Sequence, residues 1–233
     1  MAKTVSIIIQ ARSTSTRFPR KIFEKIGHKT ILKHVLDACN NCASYVNKRT
    51  HQHGIVCNVA LAVPENDELI PHYSKNIIIQ GDENDVLSRY QKAAEILKSD
   101  YIVRITADCP FIPAYIISKC INLAVRDELD FLSNANPRYR TFPDGHDVEV
   151  FSMKMLTWAN QTATLPEDRE HVTSLMYKSP PAWSKSADVI GFLNLYRMKV
   201  KLSIDTKEDL DNMTEMYDSL CESVVNCKKS YRL

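Results

Sequence analysis

The run Val5-Ser6-Ile7-Ile8-Ile9 constrains the fold of this chain more than any other feature. A short apolar run of this kind reads as a strand buried on both faces, as in a parallel sheet covered by helices on each side. It leads straight into Gln10-Ala11-Arg12-Ser13-Thr14-Ser15-Thr16-Arg17-Phe18-Pro19-Arg20-Lys21, where four cations and four hydroxyl residues fall within ten positions. Ligands of open α/β sheets bind beyond the carboxyl ends of the strands, so this segment is expected at a site. Arginine forks and a lysine point charge suit phosphate oxygens. Charge alone leaves a solvated basic loop equally open; the position directly after the first strand favours the site.

The rest of the chain is nearly neutral. Its 233 residues carry a net charge of +2, which argues against bulk nucleic-acid binding and makes any positive potential local. The length suits a single domain over residues 1–233, with room for a lobe. Met1-Ala2-Lys3-Thr4 enters the first strand at once, and no apolar run approaches membrane-spanning length. Neither a signal peptide nor membrane association is therefore expected, and a cytoplasmic location is. Cys39 and Cys42, two of seven scattered cysteines, form a Cys-x-x-Cys inside an apolar-periodic helix, with no second pair at zinc spacing. Buried thiols of a reducing compartment are the expectation.

Strands and helices alternate over the first half, the pattern of an α/β fold with a mainly parallel sheet. Ile31, Leu32, Val35, Leu36 and Cys39 mark a helix over Thr30–Val46, followed by a strand over Ile55–Val63. Between them Lys48–Gly54 reads as a surface turn whose two histidines, His51 and His53, lack nearby carboxylate or cysteine partners. Pro64-Glu65-Asn66-Asp67 ends the second strand and caps a short helix through Tyr73. A third strand over Asn76–Ile79 precedes a helix from Asp85 to Leu97. A fourth, Tyr101–Ile105, ends in Thr106-Ala107-Asp108-Cys109-Pro110. A helix over Pro113–Val125 and a strand at Phe131–Ser133 complete this half.

From Asn134 to Leu195 prolines interrupt the rhythm, and helices near Ser152–Ala159 and Glu167–Tyr177 look attached rather than interleaved. Residues 134–195 are therefore expected to form a binding or oligomerisation lobe inserted before the last strand. That strand, Met198–Ile204, leads into Asp205-Thr206-Lys207-Glu208-Asp209 and a closing helix to Ser219.

Asp108 follows the fourth strand and Asp205 the last, so both are expected at the same sheet edge as the basic segment. Mg²⁺ takes one or two carboxylates plus phosphate oxygens and water, and arginine and lysine neutralise the remaining charge. Such a convergence fits a metal–polyphosphate. Each aspartate also has a plainer reading: Asp205, or Thr206 beside it, as the N-cap of the next helix, worth about 1 kcal/mol, and Asp108 as a turn residue before proline. Neither a P-loop nor Gly-x-Gly-x-x-Gly occurs. With five glycines in all (Gly27, Gly54, Gly81, Gly145 and Gly191), side-chain clamping is favoured over a backbone cradle. That argues against an ordinary ATPase or a dinucleotide dehydrogenase.

Six ordered blocks carry a resemblance that spans residues 5 to about 217. They are Ile9-Gln10-Ala11-Arg12 with Ser15-Thr16-Arg17-Phe18-Pro19-Arg20-Lys21; Gly81 with Asp85-Val86-Leu87-x-Arg89-Tyr90; and Val103-Arg104-Ile105-Thr106-x-Asp108-Cys109-Pro110. Then come Phe142-Pro143-Asp144-Gly145-x-Asp147-Val148-Glu149-Val150-Phe151, Arg169-Glu170-His171-Val172-Thr173 and Ile204-Asp205-Thr206-x-Glu208-Asp209-Leu210. Together they resemble the cytidylyltransferases that make CMP-activated acid sugars, most closely the spore-coat-polysaccharide branch.

The resemblance implies a three-layer α/β/α nucleotide-diphospho-sugar-transferase fold, Rossmann-like, with a mainly parallel mixed sheet, in a homodimer. It implies transfer of CMP from CTP to an acidic sugar or related acid, with release of pyrophosphate. Arg12, Ser15, Arg17 and Lys21 would hold the phosphates, and Asp108 and Asp205 would hold Mg²⁺. Lys21, Arg12, Asp108 and Asp205 form the implied catalytic set. Gln10, Ala11, Thr106, Asp85 and Arg89 would lie against the nucleotide and Arg104 near its junction with the acceptor. Asp144, Asp147, Glu149, Arg169, Glu170 and His171 are the implied acceptor contacts. Thr14 and Arg20 stand where the branch often has glycines, which implies a stiffer loop with one more cation. Two rivals remain at this stage: a glycosyltransferase of the same fold using a nucleotide-sugar donor, against which Asp108-Cys109-Pro110 lacks the usual Asp-x-Asp, and a catalytically silent nucleotide-binding module.

Overall fold

The computed structural model describes residues 2–50, 54–191 and 199–230, so the histidine pair of the polar turn and Met198 lie outside the described residues. In chain order the elements are β1 (Lys3–Gln10), a 3-10 turn (Lys21–Phe23), β2 (Lys25–Ile26), β3 (Lys29–Thr30), α1 (Ile31–Asn47), β4 (Ile55–Pro64), α2 (Ile70–Tyr73), β5 (Ile77–Gly81) and α3 (Val86–Ile96). They continue with β6 (Tyr101–Thr106), α4 (Ala114–Arg126), β7 (Phe131–Ser133), β8 (Glu149–Ser152), α5 (Met153–Thr162), α6 (Pro166–Glu170), α7 (Ser174–Lys178), β9 (Ser186–Asp188) and α8 (Lys207–Ser230).

Val5 to Ile9 are each 0% exposed, as a strand walled in on both faces requires. Side chains of a strand alternate between faces, and the core divides accordingly. Val5, Ile7 and Ile9 pack with Leu32, Val35, Ile116 and Ile117 of α1 and α4. Ile8 packs on the other face with Leu87 and Tyr90 of α3 and Met155 and Leu156 of α5. The result is the α/β/α sandwich. The strands run β5-β4-β1-β6-β8-β7-β9, with β8 antiparallel to both neighbours and every other pairing parallel. From β1 the chain builds outward through β4 to β5, then returns to lay β6 on the other side of β1. The strand order therefore reverses between β1 and β6, where Gln10 sits beside Thr106 at the carboxyl ends.

Two expectations change. Residues 134–191 are woven into the sheet rather than set beside it, contributing β8 and the edge strand β9, with α5 to α7 against one face. The proline-rich sequence obscured β8 because its four residues are buried almost throughout and show no alternation. Nor is there a strand at 199–204 among the described residues; that stretch makes one isolated bridge, Asp144 to Lys201. Its backbone is satisfied by loops instead, Leu202 N donating to Asp144 O at 2.6 Å and Ile204 N to Asp108 O at 2.9 Å. Its alternating Leu202 and Ile204 pack with Ile26, Ile31, Leu210 and Met213 in a small separate cluster. Cys39 and Cys42 are buried in α1 without a disulfide, and burial pushes their thiols up.

Candidate active site

The segment after β1 is anchored before it can bind anything. Ser13 N donates to the Asp67 carboxylate at 2.6 Å, and the same carboxylate accepts from Leu69 N and Ile70 N at the start of α2. Ser13 O in turn accepts from Arg20 N at 3.0 Å, closing the segment into a loop. Arg20 sits at φ 59°, in the left-handed region that glycine adopts more readily than a residue with a Cβ. The 3-10 turn that follows aims Lys21 back across the carboxyl ends of the strands.

The Lys21 ammonium is the hub of the site. It donates to Asp108 Oδ2 at 2.8 Å, to Asp205 Oδ1 at 3.3 Å and to Ile204 O at 2.5 Å, with its side chain 11% exposed. Arg17 reaches Asp205 Oδ1 at 2.8 Å and Lys201 reaches Asp205 Oδ2 at 3.2 Å. Burial alone raises the Asp205 carboxyl, but the Lys21 charge and the Lys201 bond outweigh it and hold the group below its ordinary value. The N-cap reading of Asp205 fails. Thr206 fills that position, its Oγ1 accepting from Asp209 N, while the Asp209 carboxylate accepts from the backbone N–H groups of Asp205 and Thr206. The Asp205 side chain is thereby released to face the site.

Gln10, Ala11, Arg12, Ser15, Thr16, Arg17, Lys21, Ile22, Thr106, Ala107, Asp108 and Asp205 line one polar cleft of about 170 Å³. It lies at the reversal point between β1 and β6, where sheets of this kind take ligands. All the phosphate, metal and catalytic candidates of the sequence thus meet in one place.

The remaining candidates divide into separate groups. Arg104, on β6, donates to Gln10 Oε1 at 3.4 Å and to Glu149 Oε2 at 2.6 Å, beside the cleft. Glu149 also accepts from Thr173 Oγ1 and Tyr177 Oη, both at 2.8 Å. Burial would lower the Arg104 guanidinium, but the Glu149 charge outweighs it and raises it. Asp85 caps α3 through Ser88 N and binds Arg169 Nε at 2.9 Å, so these two residues hold each other. Arg89 is 1% exposed, and its Nε and Nη1 have no hydrogen-bond partner among the described residues. Gly81 makes room for it, since a Cβ there would fall 2.6 Å from Arg89 Cγ. Asp144 and Asp147 both pair with Arg140. Glu170 and His171 are exposed, at the last position of α6 and just beyond it.

The capping role of Asp67 was read from the sequence; its bond to Ser13 was not, nor were Lys201 and Tyr177. Lys201 stands four positions before Asp205, a signal that was readable; Tyr177 and the Ser13–Asp67 bond act across long sequence separations and left none.

A family model described as cytidylyltransferase matches residues 6–229. The chain belongs to the cytidylyltransferase family. It is 27% identical to the spore coat polysaccharide biosynthesis protein SpsF of Bacillus subtilis over 222 residues, 94% of this chain and 88% of that one. A cytidylyltransferase from Leptospira borgpetersenii superposes with a TM-score of 0.78 at 28% identity, covering 97% of this chain and 96% of its own. A CMP:2-keto-3-deoxy-manno-octonic acid synthetase complexed with CTP shares the fold, with a TM-score of 0.63 at 15% identity, covering 94% of this chain and 99% of its own. Among the described residues of this cytidylyltransferase, no helix is long and apolar enough to cross a membrane.

Proposed function

We propose that this cytidylyltransferase transfers CMP from CTP to an acidic sugar or related acid, with Mg²⁺ and with release of pyrophosphate. The observation that carries the reading is the Lys21 ammonium bonded to both Asp108 and Asp205 inside a cleft otherwise rich in cations and hydroxyls. A divalent ion fits this donor set. Two carboxylates already face a common cation, and among the described residues no group of three His, Cys, Asp or Glu offers an all-protein cage. Mg²⁺ uses one or two carboxylates and fills its shell with phosphate oxygens and water. When bound, it would supply charge neutralisation at the reacting phosphates.

The chain's own residues do the rest by positioning and electrostatics. Arg12 is exposed, lines the cleft and makes no ion pair among the described residues, so its guanidinium is available to phosphate oxygens. Ser15 and Thr16 add hydroxyl donors. Gln10 and Thr106 border the nucleotide at the strand ends. Arg104, held by Glu149 and Gln10 beside the cleft, would offer its positive charge to an acceptor carboxylate. The attacking oxygen displaces pyrophosphate in line at the α-phosphorus.

A screen of nucleoside triphosphates against carboxylated sugars, read by pyrophosphate release, tests the reading. CTP with an acid sugar is the pair expected to respond. Release of free nucleotide from an added nucleotide sugar, with no pyrophosphate from CTP, would instead mark a glycosyl transfer, and CTP binding without consumption a silent module. Asp108→Ala should lower turnover by about a thousandfold or more while leaving the unfolding midpoint near that of the parent protein. Near-normal rates in that variant would remove Asp108 from the site.

A further inference from the structure

The ammonium of Lys21 occupies the point on which both carboxylates converge. We propose that Lys21 is the resident counter-ion of the metal site, and that it keeps divalent cations out until a nucleoside triphosphate draws it away. The inference rests on the nucleotide reading above and adds an order to it: metal is taken up with the nucleotide, not before.

Three observations carry it. First, Lys21 is no surface lysine resting on a carboxylate. Its side chain is 11% exposed and its nitrogen has three partners, Asp108 at 2.8 Å, Asp205 at 3.3 Å and Ile204 O at 2.5 Å. A dication needing the same carboxylate oxygens must displace it. Second, the charge is already balanced. Asp108, Asp205 and Asp209 face Lys21, Arg17 and Lys201, so a bare dication would enter a neutral cluster and leave it with two uncompensated positive charges. Arg12, in the same cleft and without an ion pair among the described residues, adds to the repulsion. In a partly buried site those charges are poorly screened. Third, a triphosphate reverses both terms. Its oxygens are alternative acceptors for the ammonium, and its negative charge offsets the ion.

Coupling of this kind is reciprocal: if nucleotide raises metal affinity, metal raises nucleotide affinity by the same factor. Removing the ammonium should leave two bare carboxylates that bind metal without nucleotide.

The test is Mn²⁺ binding to the nucleotide-free full chain, followed by the loss of the free-ion paramagnetic resonance signal. Wild-type protein should bind Mn²⁺ weakly. K21M should bind it tighter by about tenfold or more, K21R should stay weak because it keeps the charge, and K21M with D108N should lose the gain. Equal affinities of wild type and K21M overturn the proposal. So does tight binding of one Mn²⁺ by wild type that D108N abolishes, a result that stands even if K21M does not fold. CTP binding to the wild type, measured separately by calorimetry, distinguishes the two failures. Its absence sinks the nucleotide reading, whereas intact CTP binding with equal metal affinities sinks the counter-ion alone.

Discussion

At the scale of the residue, two side chains are held where their chemistry is strained. Arg20 adopts φ 59° in the loop that follows β1. A left-handed residue with a Cβ costs about 1–2 kcal/mol, against which glycine's extra chain entropy is about 0.5–1 kcal/mol. Arg20→Gly should therefore leave the protein as stable or up to about 1 kcal/mol more so; a clear loss in urea denaturation would show that the arginine side chain contributes to the fold. Asp147 is the second case. Burial raises its carboxyl to about 6 against the pull of Arg140. The folded chain then binds this proton more tightly than the unfolded one. Its stabilising contribution is complete below the ordinary value of 3.8 and is lost as pH rises through about 6. Asp147→Asn should flatten that fall, so the variant gains on the parent between pH 4 and 7 by denaturant titration. Parallel stability curves would contradict the assignment.

At the scale of the element, the segment carrying Asp205 is placed by a loop rather than by a strand. Asp144 Oδ2 accepts from Ser203 Oγ at 2.7 Å, and Asp144 O accepts from Leu202 N. Between them Gly145 lies flat against that backbone: at φ 98° it is in a region that favours glycine, and a Cβ would fall 2.3 Å from the Leu202 carbonyl carbon. Gly145→Ala should destabilise the protein by about 2 kcal/mol and shift Leu202 to Ile204, whose carbonyl holds Lys21. Small displacements of reacting groups are costly, so turnover should fall by about tenfold or more even in the fraction that remains folded. Parent-like turnover with reduced stability would confine the glycine to the fold.

At the scale of the whole molecule, the site joins three parts of the chain far apart in sequence. Lys21 follows β1, Asp108 follows β6 and Asp205 precedes α8, yet all three line one cleft. A ligand there ties those parts together and stabilises only the folded state. CTP with Mg²⁺ at a hundredfold excess over its dissociation constant should add about 2.7 kcal/mol, read as a rise in melting temperature. Asp205→Asn should diminish the rise, and an undiminished one would place the ligand elsewhere.

Much of this was legible in the sequence. The apolar run of β1 dictated a strand buried on both faces, because no half-exposed strand tolerates that pattern in water. The cations and hydroxyls after it, and an aspartate after β6, pointed to the rim because strand ends in such sheets are where side chains are free to meet a ligand. Helix periodicity located α1, α3 and α4 within a residue or two. What the tertiary structure alone decided was pairing. Asp85 and Arg169, both read as ligand contacts, hold each other, and the stretch before Asp205 bonds to loops instead of joining the sheet. Local sequence specifies which groups a segment offers, through propensity and pattern. Which of several acceptors a buried donor takes depends on distances across the fold, and those exist only once the chain is packed.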